Sequence, residues 1–201
     1  MKGLFVAFEG ANGVGKSTVI NKIYQMLKIE NIDVYLTKEP SASLLGNFTR
    51  EIADSLKGKT LACLSAADRY YHVEKEIIPR IELGTIILCD RNILSAYVFN
   101  KMDGISFQFT DNLYNGITYP DATILFTASI NTIQSRLMQR EYLTRYELSP
   151  TGSEQKAIYD SLNYLKNKKM KIFEVSTECE ISETIDRTYN IIKELIKNNN
   201  L

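Results

Sequence analysis

The run Gly10-Ala-Asn-Gly-Val-Gly15-Lys16-Ser17 constrains this chain more than any other feature. It satisfies the pattern G-x-x-x-x-G-K-[ST] at every fixed position. The apolar run Leu4–Phe8 precedes it and reads as a buried strand, and residues 17–27 follow with apolar side chains at helical spacing. A strand, a glycine-rich turn and a helix in that order form a phosphate loop. Backbone N–H groups turn inward to cradle phosphate oxygens, and the helix N-terminus adds positive potential. In such a loop Lys16 is expected to reach the β- and γ-phosphates, and Ser17 to ligate Mg²⁺.

A chain of 201 residues can bury a substantial core as one domain. Its 44% apolar and 24% charged residues exclude a disordered polyelectrolyte. Lys plus Arg and Asp plus Glu number 24 each, so no global charge excess points to nucleic acid as a partner. No apolar stretch reaches the roughly 20 residues of a membrane span, and no signal peptide is legible, so a cytoplasmic protein is expected. Cys63, Cys89 and Cys179 lack metal-ligand spacing and are expected to pack as small apolar residues in a reducing compartment.

Strand-like segments at 4–9, 33–37, 85–89, 122–127 and 171–175 alternate with helical patterns near 16–29, 43–57, 60–82, 92–101, 107–116, 130–140, 153–168 and 181–197. This alternation predicts a three-layer α/β/α fold with a five-stranded parallel sheet. Runs such as Thr85–Cys89 and Thr123–Phe126 are apolar throughout, as strands covered on both faces require. The polar, charge-dense stretch 139–152 lacks periodicity and reads as a mobile flap.

Ligands of open parallel sheets bind beyond the strands' carboxyl ends. There lie the phosphate loop, Lys38-Glu39-Pro40 and Asp90-Arg91-Asn92. Asp90 could hold Mg²⁺ and Arg91 a phosphate, or the two could form a strand-end ion pair. Arg136, Arg140 and Arg145 cluster about the flap. Arginines there could neutralise charge in phosphoryl transfer, or Arg136 and Arg140 could simply share a solvated helix face. Arg50 and Arg69 read equally as site residues or surface charges, and the single histidine, His72, reads as structural.

Taken together, these segments resemble the thymidylate kinase family of P-loop nucleoside monophosphate kinases over nearly the whole chain. The phosphate loop, Thr37-Lys-Glu-Pro-Ser-Ala-Ser43, Arg50, Ala66-Ala-Asp-Arg-Tyr-Tyr-His-Val-Glu74, Asp90-Arg-Asn-Ile-Leu-Ser95, Pro120-Asp121, Arg136 with Arg140, and Thr144-Arg-Tyr-Glu147 follow the family's order and spacing. The resemblance implies transfer of the γ-phosphoryl of MgATP to a deoxynucleoside monophosphate, foremost dTMP to dTDP, by one kinase domain over 1–201 with a lid at 139–152. ATP binding is implied for Gly10, Ala11, Asn12, Gly13, Val14, Gly15, Lys16, Ser17 and Thr18, and metal binding for Ser17 and Asp90. Acceptor binding is implied for Asn12, Glu39, Arg50, Ser65, Arg69, Arg91, Ser95, Phe99 and Asn100. Lys16, Arg91, Arg140 and Arg145 are implied as catalytic, because this phosphate loop carries no arginine of its own. Nucleic acid and membrane are not implied as partners, and a homodimer is.

The chain departs from the family pattern on the acceptor side. Asn12 stands where the family usually has an acid, Ser65 where a phenylalanine often stacks on thymine, and Asn92 where a tyrosine is usual. Phe99-Asn100 replaces Tyr-Gln, and Ser41-Ala42 replaces two glycines, removing two permissive backbone positions. These changes keep two further readings open. One is a kinase for another acceptor (dUMP, another monophosphate or a deoxynucleoside). The other is a nucleotide-binding regulatory protein on the same scaffold.

Overall fold

The apolar runs pair into one parallel sheet in the computed structural model, which describes residues 2–166, 168 and 170–199. Its strands are β1 (Phe5–Glu9), β2 (Val34–Lys38), β3 (Ile86–Asp90), β4 (Ala122–Thr127) and β5 (Ile172–Ser176), in spatial order β2-β3-β1-β4-β5. In this register Ala7 sits between Cys89 and Thr123. The helices are α1 (Lys16–Ile29), α2 (Leu44–Ile52), α3 (Gly58–His72), α4 (Ile78–Glu82), α5 (Ile93–Met102), α6 (Phe107–Leu113), α7 (Ile130–Leu137), α8 (Ser153–Leu165) and α9 (Ile181–Asn198). This is the α/β fold of P-loop kinases.

Strand side chains alternate between two cores. Leu4, Val6, Phe8, Leu88, Ile124 and Phe126 meet Ile20, Ile23 and Leu27 of α1, Ile133 of α7, and Ile192 and Leu195 of α9. Phe5, Ile87, Cys89 and Leu125 meet Ala66 of α3, Ile81 of α4, Leu94, Tyr97 and Val98 of α5, and Ala157 and Leu165 of α8. Both sheet faces are therefore covered, which is why the strands are apolar without alternation. The strand β1 lies between β3 and β4, so the loop leaving β1 faces the exits of both neighbours.

Two helical expectations divide. The pattern over 60–82 splits into α3, a single wide turn at Val73–Ile77, and α4. Pro79 explains it: a proline has no amide hydrogen and its ring crowds the carbonyl four residues back, so the ladder widens just before it. The pattern over 43–57 ends at Ile52, where Ser55 Oγ donates to the Ile52 carbonyl at 2.9 Å. The chain then re-enters α3 through Gly58 at φ 72°. The pattern over 153–168 is helical to Leu165, and its Asn167 lies outside the described residues.

The start of β4 is pinned by a reciprocal contact. Phe5 N donates to Asp121 Oδ2 at 2.8 Å, and Asp121 N donates to the Phe5 carbonyl at 2.8 Å. Asp121→Ala is expected to destabilise the fold by about 1–2 kcal/mol, since it orphans a backbone donor. Urea denaturation measures this, and an unchanged midpoint would contradict it.

Candidate active site

The loop between β1 and α1 closes tightly because of Gly10. Its φ is 138°, and a Cβ there would lie 2.5 Å from the Phe126 carbonyl oxygen of β4, so no side chain fits. Lys16 opens α1 yet is buried, and its Nζ donates back to the carbonyls of Gly10 (2.8 Å) and Ala11 (3.0 Å). Burial, and next the Arg91 charge, lower its pKa to about 7. The next residue, Ser17, donates from Oγ to Asp90 Oδ2 at 2.9 Å, while Asp90 Oδ1 is buried without a partner among the described residues. A hydroxyl and a carboxylate with an unspent oxygen are the hard donors a divalent cation such as Mg²⁺ takes.

Two distant side chains brace this loop. Glu154, in the first turn of α8, accepts from Asn12 N at 2.9 Å. Arg136 of α7 donates to the Val14 carbonyl at 2.8 Å and to the Thr177 carbonyl at 2.8 Å. Arg136 is thus not spent on solvent; it ties the loop to the end of β5.

Arg91 joins the loop to a second cavity. Its backbone adopts φ 68°, held by Arg91 N donating to the Phe8 carbonyl at 2.9 Å. The buried Glu9 carboxylate accepts from Asn92 N (2.8 Å) and Ser95 N (3.1 Å), satisfying amides at the start of α5. Strained backbone held by surrounding structure is characteristic of functional sites. The guanidinium then donates to Asn12 Oδ1 (2.7 Å), Ser95 Oγ (3.0 Å) and the Gly10 carbonyl (3.3 Å), and lies 5.0 Å from the Phe99 ring centroid.

The cavity beyond Arg91 has a volume of about 220 Å³. Asn12, Glu39, Ser65, Arg69, Arg91, Ser95, Phe99 and Asn100 all line it, so most of the acceptor residues drawn from the resemblance share one space. Arg69 is buried and donates from Nε to Glu39 Oε2. Burial opposes the charge on Arg69, but the Glu39 carboxylate more than offsets it and raises its pKa. Glu39 also accepts from Asn92 Nδ2 at 2.9 Å, and His72 Nδ1 lies 3.3 Å from its Oε1. His72 Nε2 is 2.8 Å from Thr37 Oγ1, and Cys89 Sγ donates to the Arg91 carbonyl at 3.0 Å. Glu39, His72 and Cys89 come close enough to share a metal, yet each is already engaged by protein groups. They form a buried structural network.

The remaining arginines sit differently from the sequence expectations. Arg50 does not line the cavity; it donates to the carbonyls of Pro40 and Ser41 and to Asn47 Oδ1. Arg140 is half exposed and pairs with Glu147. Arg145 is not aimed at the phosphate loop. It forks onto both oxygens of Asp103 (2.6 and 2.9 Å) and donates to the Ala53 carbonyl at 2.7 Å. This holds segment 139–152 beside the cavity, whose lining Thr144 and Tyr146 join. The Tyr146 ring centroid lies 4.5 Å from that of Phe99.

Two further expectations are corrected. Neither Ser41 nor Ala42 takes a positive φ, so the substituted glycines remove no needed freedom. Ser41 N and Oγ and Ser43 Oγ instead donate to the buried Asp68. The glycine this corner requires is Gly46, where a Cβ would stand 2.2 Å from the Ser41 carbonyl oxygen. Cys63 is exposed rather than packed, while Cys89 is buried, and burial pushes its thiol pKa up. Reading the sequence missed Glu9, Glu154, Asp103, Tyr114 and Tyr146. An acid ending an apolar strand directly before Gly10 marks Glu9, whereas the others reach the site only through long-range packing.

The family model for thymidylate kinase matches residues 8–186 of this chain. A thymidylate kinase of Caldicellulosiruptor saccharolyticus is 29% identical, covering 98% of this chain and 99% of that protein. A thymidylate kinase of Exiguobacterium sp. is 30% identical, covering 94% of this chain and 95% of that protein. A probable thymidylate kinase of Caldivirga maquilingensis is 36% identical over 72% of each chain.

The environment of Lys16 generates a pH prediction. Above pH 7 its amine is mostly neutral in the free protein, and a bound polyphosphate restores the charge. Binding of ATP at pH 8 without divalent cations is therefore expected to take up protons, and affinity to fall as pH rises further. Calorimetry in two buffers of different ionisation enthalpy reads this directly. Equal apparent enthalpies in both buffers would contradict it.

Proposed function

The chain belongs to the thymidylate kinase family, and on that premise we propose that it phosphorylates dTMP to dTDP with ATP as donor. It is a transferase that binds ATP and serves nucleotide biosynthesis. The observation that carries the reading is the joint at Arg91. One guanidinium bonds the phosphate loop through Gly10 and Asn12, and the wall of the second cavity through Ser95. A donor and an acceptor held on either side of it would meet in line.

In this reading Lys16 leaves the carbonyls of its own loop for the donor phosphates. Ser17 and Asp90 would hold Mg²⁺, which when bound offsets charge on those phosphates. Arg91 holds the acceptor phosphate, and Arg50 is released to it from the carbonyls of Pro40 and Ser41. Residues 139–152 act as the lid. Arg145 latches it to Asp103, excluding water, and the half-exposed Arg140 would leave its partner Glu147 to swing over the transferred group. Catalysis is then positioning and charge stabilisation, with no covalent step on the protein.

Among the described residues no helix is long and apolar enough to cross a membrane. Three free cysteines support a reducing cytoplasm. We read 1–201 as one catalytic unit that pairs as a homodimer, a reading supported by the exposed Leu44 and Phe48 on α2.

ADP release from MgATP is expected to be stimulated by dTMP well above dUMP, dCMP, dGMP, thymidine or no acceptor. Lys16→Ala should lower the stimulated rate by at least about 100-fold, as loss of a positioned charge does, while the fold survives. Stimulation by another acceptor alone, or ATP binding with no stimulation by any acceptor, would overturn the assignment.

A further inference from the structure

Glu9 ends β1 and is 1% exposed. Among the described residues its side-chain hydrogen bonds all go to the turn that opens α5. Oε1 accepts from the amides of Asn92 (2.8 Å) and Ser95 (3.1 Å), and Oε2 accepts from Ser95 Oγ at 2.5 Å. The two amides do not require an acid, because the carbonyl oxygen of a glutamine would accept from them as well. Burying a charge costs far more than burying an amide, so the second oxygen needs a reason of its own. That oxygen is spent on a hydroxyl.

The hydroxyl leads to Arg91. A carboxylate can only accept, so the proton between Oε2 and Ser95 Oγ belongs to the serine. With that proton directed at Glu9, Ser95 presents only lone pairs to the cavity it lines. Arg91 Nη1 donates to Ser95 Oγ at 3.0 Å. Among the described residues, the other hydrogen bonds of the fork go to Gly10 and Asn12 in the phosphate loop. Ser95 is therefore the hydrogen-bonded anchor of the fork on the α5 side. Bonds to a charged group are stronger than neutral ones, and bonds in a chain polarise one another. Carboxylate, hydroxyl and guanidinium thus form one continuous line.

We propose that Glu9 is a positioning residue for phosphoryl transfer: by holding the Ser95 proton, it makes that hydroxyl an acceptor that aims Arg91. The same geometry reassigns Ser95. Above neutral pH a phosphate monoester offers acceptor oxygens only, and a hydroxyl whose proton is already spent has nothing to give it. Ser95 then serves the acceptor through Arg91, not by bonding its phosphate. The inference rests on the dTMP kinase reading and adds how the aligning arginine is itself aligned.

The test is a double-mutant cycle with Glu9→Gln and Ser95→Ala, measured singly and together. Glutamine keeps the shape and an acceptor for the two amides, but turns an N–H toward Ser95, so two donors meet at one hydroxyl. With saturating MgATP and dTMP, each single variant should lower kcat at least about tenfold, since a misplacement of about 1 Å can cost about 100-fold. The calorimetric Kd for ATP should be unchanged. The double variant should be no slower than the slower single one, as expected for residues acting in one chain. Losses that multiply in the double variant would overturn the inference. So would an unchanged kcat for Glu9→Gln, or a lowered melting midpoint with wild-type kcat per folded molecule, which marks a purely structural acid. Should Glu9→Gln not fold, the Kd for dTMP in the Arg91→Ala background decides. Adding Ser95→Ala should leave it unchanged, and a further rise of about tenfold, the equivalent of one net hydrogen bond, would place Ser95 on the acceptor itself and overturn the inference. Failure of the underlying reading looks different: the wild-type protein would show no dTMP-stimulated ADP release.

Discussion

The position of Arg91 is the constraint on which the site depends. Its backbone stands in a region that non-glycine residues rarely enter, directly after β3. The Phe8 carbonyl and the Glu9 carboxylate hold the chain there, and Glu9 at the same time satisfies amides of Asn92 and Ser95. Only because β1 lies beside β3 can the residue that ends one strand fix the turn that leaves the other. The side chain that results reaches the phosphate loop and the second cavity together. Lysine is a poor substitute, because its three donors radiate from one atom on a flexible stem and lack the rigid planar fork that reaches separated acceptors.

Around this joint the protein uses buried acids to aim its cations. Glu39 holds Arg69, Glu154 holds the Asn12 amide beside Arg91, and Asp103 holds Arg145. Asp68 plays the same part for Ser41 and Ser43. Breaking a buried pair by deleting one partner typically costs about 3–5 kcal/mol, since the survivor keeps its desolvation penalty. Such pairs are therefore better understood as fixing geometry than as a reserve of stability. The drift noted at Asn12 fits this picture. The amide oxygen of Asn12 accepts from Arg91, and Glu154 brings a carboxylate within 3.7 Å of the same guanidinium from another helix.

The parts legible in the sequence are those with a local cause. Strands buried on both faces must be apolar runs, and each expected strand lies within one residue of an observed one. The phosphate loop is a local motif, and its carboxylate partner Asp90 ends a neighbouring strand. Eight of the acceptor residues drawn from the family pattern meet in one cavity because the pattern records a shared fold. What could not be read is long-range. Nothing near Arg136 in the chain reveals that it will bond Val14, 122 positions away. Arg145 turns to Asp103, and Tyr114 enters the cavity from the end of α6. The split at Val73–Ile77 was available in principle from Pro79, but apolar periodicity across the break concealed it.

The most direct test of this account is the turnover of Arg91→Lys, measured with saturating MgATP and dTMP well below the melting midpoint. If Arg91 aligns donor and acceptor, kcat should fall by at least about 100-fold, a loss of about 2.7 kcal/mol of transition-state stabilisation, while ATP still binds the phosphate loop. A variant that keeps kcat within about tenfold of the wild type, a change of about 1.4 kcal/mol or less, would show that the joint at Arg91 does not align the reacting groups.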